Sequence, residues 1–167
     1  MNNWDFLIKE KLENGDDLIL SGYPNEKLPD FLKAVPGNLH LTNCPNLTSL
    51  NELRHVTGTV YIEGCPKLKG TGFLYHAGGN VTIINCESFA EVKDLKCGNN
   101  ITFSRLPNMK DLGSLETVYG FLDVTDTPIS NLGRIFFIEG EIYAAGSLLS
   151  PNDNELCHFL EKLNFER

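Results

Sequence analysis

Three cysteines recur at a fixed interval: Cys44, Cys65 and Cys86 each stand 21 residues from the last, and His55 and His76 repeat that spacing, with Lys96 next in their series. Aligned thiols suit a soft metal such as zinc, and two neighbouring imidazoles could share a divalent cation. Both ideas fail on their neighbours. The cysteine series continues as Leu106 and Thr127, and the chain has no Cys-x-x-Cys pair. The thiols therefore read as small buried hydrophobes. No third ligand accompanies the two histidines, which read as a solvated surface.

Other chemistry is equally thin. Gly70-Thr71-Gly72 lacks the further glycine or the Lys-Ser/Thr of a phosphate-cradling loop. Asp123 with Asp126 and Glu139 with Glu141 are loose carboxylate groups with no implied cleft, and His158 has no nucleophile in a recognisable motif. The expectation is a protein with no catalytic residues, metal or cofactor.

Composition narrows the partner. The 167 residues suit one core, and 41% hydrophobic residues describe a folded chain. A net charge of −8 repels phosphate backbones, so nucleic acid is not an expected partner; the same field would favour a basic protein surface or let the chain imitate nucleic acid. No apolar run reaches the roughly 18 to 20 residues of a membrane span. The N-terminus does not read as a signal peptide, and the five cysteines are an odd number, which together point to reduced thiols in a cytoplasm. The Asn-x-Thr sites at Asn46, Asn80 and Asn100 then read as products of repetition rather than glycan acceptors.

What could position side chains at such intervals is a repeat. Hydrophobic dyads occur at Leu18/Leu20, Leu39/Leu41, Val60/Ile62, Val81/Ile83, Ile101/Phe103, Leu122/Val124 and Ile142/Ala144, with first members 20 or 21 residues apart. Alternation within each dyad predicts a short strand with one buried face. Glycine precedes most dyads, at Gly37, Gly58, Gly79, Gly98, Gly120 and Gly140, where φ freedom would help the chain turn. Proline follows most of them, ending strand pairing. Apolar residues then recur every third position, as in Leu47, Leu50, Leu53 and Val56, which suits a 3₁₀-like or extended return arm better than an α-helix.

Leu-x-Leu-x-x-Cys-x-x-Leu from Leu39 to Leu47, Val-x-Ile-x-x-Cys-x-x-Leu from Val60 to Leu68, and Gly-x-Leu-x-Val-x-x-Thr-Pro-Ile-x-x-Leu from Gly120 to Leu132 resemble short, degenerate leucine-rich repeats of bacteriophage and bacterial type. The resemblance covers roughly 17–148. Departures are Ala144 in place of a large apolar residue, Thr71-Gly72 interrupting the third return arm, and Cys, Leu or Thr where a stacked Asn is usual.

The expected architecture is one mostly β repeat solenoid with a leucine-rich-repeat-like parallel sheet of about seven short strands: an N-terminal helical cap over 1–16, seven coils of 20 to 21 residues over 17–149, and a C-terminal helical cap over 150–167. Trp4, Phe6, Leu7, Ile8 and Leu12 supply the apolar side of the first cap, and Leu156, Phe159, Leu160 and Leu163 that of the second.

Alternation also assigns the outward face. Its central column is Ile19, His40, Tyr61, Thr82, Thr102, Asp123 and Tyr143; Asn38, Thr59, Asn80, Asn100, Phe121 and Glu141 flank one side, and Thr42, Glu63, Ile84, Ser104, Thr125 and Ala145 the other. The resemblance implies that the sheet side engages a partner. His40, Tyr61, Thr82, Ile84, Thr102, Phe121, Asp123 and Tyr143 are the candidate contacts, with another protein as partner. The expected role is a non-catalytic, monomeric binding module, an accessory factor that inhibits or adapts a host protein, in the host cytoplasm if phage-encoded. Self-associating assembly and an acidic nucleic-acid mimic are the alternatives.

Overall fold

A dyad of large apolar residues around one polar residue can bury only one side of an extended chain, and each of these strands does so against its neighbours in the next coil. The computed structural model describes residues 3–149. It runs α1 (Asn3–Asn14), β1 (Leu18–Ser21), β2 (Ala34–Val35), β3 (Leu39–Thr42), β4 (His55–Val56), β5 (Val60–Glu63), β6 (His76–Ala77), β7 (Val81–Ile84), β8 (Cys97–Gly98), β9 (Ile101–Ser104), β10 (Thr117–Val118), β11 (Leu122–Asp123), β12 (Phe137–Ile138) and β13 (Ile142–Tyr143). The odd-numbered strands form one seven-stranded parallel sheet in the order β1-β3-β5-β7-β9-β11-β13. The chain is a mostly β parallel solenoid of about six turns with one N-terminal helix. The expected C-terminal helical cap lies outside the described residues.

Register holds the dyads in line. Leu18 pairs with Leu39, Leu39 with Val60, Val60 with Val81, Val81 with Ile101, Ile101 with Leu122, and Leu122 with Ile142. All but Ile142 are fully buried. The return arms are extended rather than 3₁₀. Two-residue strands pair in the parallel ladders β2-β4-β6 and β8-β10-β12, and single turns such as Leu53 N–H to Leu50 O (3.2 Å) and Leu115 N–H to Leu112 O (3.1 Å) precede them. One turn followed by two extended residues points every third side chain inward, so Leu47, Leu50, Leu53 and Val56 are all sealed.

Each strand of the seven-stranded sheet is followed, within one to three residues, by a residue in the left-handed region: Gly22, Asn43, Gly64, Asn85, Arg105, Asp126 and Gly146, with φ between 52° and 71°. Gly, Asn and Asp enter this region readily, whereas Arg105 bears a steric cost. The glycines before the strands act differently from expectation, because none of Gly37, Gly58, Gly79, Gly98, Gly120 and Gly140 has a left-handed φ. Space is what they provide. A Cβ on Gly79 would lie 2.6 Å from Thr59 Oγ1 and 3.0 Å from the Gly58 carbonyl carbon, and one on Gly140 would lie 2.8 Å from that of Gly120.

Helix α1 covers the first coil. Ile8 is fully buried, Trp4 and Leu12 pack against the core, and the Trp4 ring meets Tyr23 edge-on at 5.5 Å. Its end is a left-handed cap at Gly15: Asp16 N–H donates to Lys11 O and Gly15 N–H to Leu12 O, satisfying the last carbonyls. Phe6, expected on the buried side, is 64% exposed, because the helix offers Ile8 and Trp4 to the core on the opposite side of its axis.

Arg105→Asn is expected to stabilise the fold by about 0.5–1 kcal/mol by removing left-handed strain. Gly79→Ala is expected to destabilise it by about 1–3 kcal/mol, since backbone must move to admit the methyl group. Thermal unfolding followed by circular dichroism checks both signs, and equal behaviour of the two variants would contradict the assignment.

Candidate functional site

Because neighbouring strands pair in register, outward residues also stack. His40 pairs with Tyr61, Tyr61 with Thr82, Thr82 with Thr102, Thr102 with Asp123, and Asp123 with Tyr143. The structure thus brings the expected central column into one row. Ile19 at its head is 62% exposed and Tyr143 at its foot 47%, while His40, Tyr61, Thr82, Thr102 and Asp123 are half-buried among their neighbours. Ile84 and Phe121 stand half-buried in the flanking columns.

Aromatic rings pair across strands at both ends of this face. The His40 and Tyr61 rings lie 5.6 Å apart, and Phe121 meets Tyr143 edge-on at 5.7 Å. Each tyrosine is tied to a carboxylate two residues away along its own strand. Tyr61 Oη donates to Glu63 at 2.7 Å, and Tyr143 Oη donates to Glu141 at 2.7 Å. Those bonds hold the phenolic protons, so both tyrosine pKa values are pushed up.

Not every outward residue is available. Asn38 N–H donates to Asp17 Oδ1 at 2.7 Å, and Thr59 N–H donates to Asn38 Oδ1 at 2.7 Å. Further along, Asn100 N–H donates to Asn80 Oδ1 at 3.2 Å, and Phe121 N–H to Asn100 Oδ1 at 3.1 Å. Side-chain carbonyls in this column thus cap strand amides of the following coil. Asp123 is similarly engaged: its Oδ1 accepts the Thr125 N–H at 2.9 Å, withdrawing that amide from the ladder where β11 stops after two residues. Ser104, expected to face outward, is only 8% exposed, a small side chain in register beside the larger Ile84.

Charge divides the molecule. The three outward columns hold Asp17, Glu63, Asp123 and Glu141 and no Lys or Arg. On the return arms, by contrast, cations have partners: Arg54 pairs with Glu52 at 3.3 Å, Lys96 with Glu116 at 3.8 Å, and Lys93 and Arg54 each lie 5.4 Å from the Phe73 ring. An open groove of about 400 Å³ there is lined by Glu91, Lys93, Asp111, Ser114 and Arg134 among others.

Cys44, Cys65 and Cys86 stack as an interior column with no exposure, continuous with Tyr23 before them and Leu106 and Thr127 after. Their thiols donate to backbone carbonyls, Cys44 to Thr42 O at 3.5 Å and Cys86 to Ile84 O at 3.4 Å. Hydrogen bonding with the Cys65 thiol, reinforced by burial, raises the Cys44 pKa far above the ordinary thiol range. His55 and His76 stack on the return arm with rings 4.5 Å apart and nearly parallel, and Lys96 is drawn to Glu116. Among the described residues, no three His, Cys, Asp or Glu side chains converge on a metal-binding point. Among the same residues, no helix is long and apolar enough to cross a membrane.

Comparison with known proteins finds no matching family model, no matching curated protein and no matching solved structure.

Three expectations follow. Asn38→Ala should cost about 1 kcal/mol, because the Thr59 amide loses its acceptor. Asp17 is held below the usual carboxylate range first by the Asn38 amide bond. A depressed native pKa gives stability that is complete above the unfolded value of about 3.9 and lost as pH falls through the native one. The gap in melting temperature between wild type and Asp17→Ala should therefore be widest near neutrality and shrink below pH about 4. Alkylation mapped by peptide mass spectrometry should modify the half-buried Cys97 in the native protein, and Cys44, Cys65 and Cys86 only after unfolding.

Proposed function

We propose that the chain is a non-catalytic protein-binding module that acts as a monomer and engages its partner through the outward face of the seven-stranded sheet. The observation that carries this reading is the row of aromatic and apolar side chains, Ile19, His40, Tyr61, Phe121 and Tyr143, left standing on a surface whose backbone is already paired. Aromatic anchors with two side-chain torsions lose little entropy on docking, and Thr82 and Thr102 between them offer adaptable hydrogen bonds. Seven strands at roughly 4.8 Å give a face about 30 Å long, enough for one side of a standard interface. Thr82, Ile84, Thr102 and Asp123 complete the contact set.

The biological setting we attach to this reading is an accessory factor of bacteriophage or bacterial type, working in the cytoplasm, that blocks or adapts another protein. It rests on the likeness of the repeat to short leucine-rich repeats.

Affinity capture from a host lysate, with quantitative mass spectrometry, tests the face. Tyr61→Asp and Tyr143→Asp should each reduce recovery of a captured protein at least about tenfold, since each removes an anchor and adds a charge. Tyr75→Asp on the return arm should leave recovery unchanged, and all three variants should unfold at the wild-type temperature within a few degrees. Retention of the partner by both face variants would move the site elsewhere.

A further inference from the structure

Resting on that reading, we infer that the sheet face takes an extended polypeptide segment bearing two cationic side chains, Lys or Arg, laid along the solenoid axis across the strands. One cation sits at the Tyr61–Glu63 pair and the other at the Tyr143–Glu141 pair.

Charge complementarity selects the chemistry. A protein of net charge −8 still carries 14 Lys and Arg, yet none falls in the three outward columns, whereas Arg54, Lys93 and Lys96 on the return arms meet carboxylates and rings of their own molecule. Segregation of that kind leaves a face whose carboxylates, among the described residues, form no salt bridge with a Lys or Arg of their own chain, with Arg105 close enough to Tyr61 to act on it, and attracts a basic segment from a distance. Glu63 accepts from Tyr61 and, at 3.5 Å, from Asn85 Nδ2; both are neutral donors that orient the carboxylate without neutralising it. Glu141 is oriented by Tyr143, beside the Phe121 ring. Each pair offers a guanidinium or ammonium group a carboxylate to bond and an aromatic surface to lie against.

Spacing selects the shape. Tyr61 and Tyr143 occupy the same column, separated by the steps β5 to β7, β9, β11 and β13. At about 4.8 Å per step the pairs lie roughly 19 Å apart. An extended chain rises about 3.3 Å per residue and presents every second side chain to one side, so cations about six residues apart reach both pairs at once. Thr82 and Thr102 lie beneath the intervening backbone and can bond its amides and carbonyls. A second class of ligand, nucleic acid, is opposed by the same carboxylates.

The test uses the full chain and fluorescein-labelled 12-residue peptides in fluorescence anisotropy at low salt. One peptide carries two Arg six positions apart in a Gly/Ser/Thr background, a second carries them adjacent, and a third has Glu at both positions. The spaced peptide should bind at least about threefold more tightly than the adjacent one, the Glu peptide should not bind, and added NaCl should weaken the complex. Glu63→Gln and Glu141→Gln, which keep shape and remove charge, should each weaken binding about three- to fivefold. Glu87→Gln and Glu139→Gln, equal charge changes away from the face, should not. Equal affinity for spaced and adjacent peptides, or equal effects of the two pairs of variants, would overturn the inference in favour of diffuse attraction to an acidic protein. If it fails so while Tyr61→Asp still releases the captured partner, the face stands and only the chemistry of its ligand is wrong.

Discussion

Lateral packing of one coil upon the next is the constraint to which everything else answers. The backbone bonds of the sheet, such as Leu39 N–H to Thr59 O at 2.9 Å and Val60 N–H to Asn80 O at 2.9 Å, join residues a full coil apart. No single coil could bury Leu39, Leu47 or Leu53 alone. Each becomes interior because an almost identical shape lies above and below it, so stability is a sum of neighbour terms along one axis. The ends of the stack reveal the same dependence. Nearly every core residue of the central coils is fully sealed, whereas Leu132, Ile135 and Ile138 are 9%, 5% and 3% exposed, and Ile142 and Ala144 are only partly covered.

Stacking also imposes a strict economy on each position. Whatever residue type occupies a column must suit identical geometry in every coil. The interior corner after each strand accepts Tyr23 beneath the helix and then three cysteines, Leu106 and Thr127, because the requirement is compact apolar bulk and not thiol chemistry. Thr127 meets that requirement by donating its hydroxyl to Val124 O at 2.6 Å, leaving no unsatisfied polar atom inside. The left-handed residue before this corner is stricter, admitting Gly, Asn and Asp freely and Arg105 only at a cost.

Much of this was legible in the sequence, because period and alternation report directly on burial. The dyads gave the strand positions, and the every-third pattern gave the inward side of the return arms. Other features hid for physical reasons. Two-residue strands such as His55–Val56 are too short for alternation to register. The left-handed column was visible as Gly22, Asn43, Gly64, Asn85, Asp126 and Gly146, but Arg105 interrupts it and the prolines two positions later draw the eye. Glycines such as Gly79 are ambiguous in sequence, which cannot distinguish a need for φ freedom from a lack of room, and here it is room that is lacking. The outward face was placed correctly as a row, yet alternation could not foresee that Asn38 and Asn100 spend their carbonyls on neighbouring amides or that Ser104 is covered.

A surface made in this way differs from a loop-built site in what it can vary. The strand backbone is fixed by its neighbours on both sides, so one outward side chain can change without altering register, and each column can vary one coil at a time. The return arm lacks that freedom. Its strands are two residues long, Arg54 and Lys96 are paired with Glu52 and Glu116, and its aromatic rings at Phe31 and Phe73 already carry Lys9, Arg54 and Lys93. A partner docking on Phe31 or Phe73 would have to displace those cations before making its own contacts, whereas the sheet side presents Tyr61, Phe121 and Tyr143 beside carboxylates that form no salt bridge among the described residues. That difference in desolvation and rearrangement, more than any single residue, is what the proposed contact face rests on.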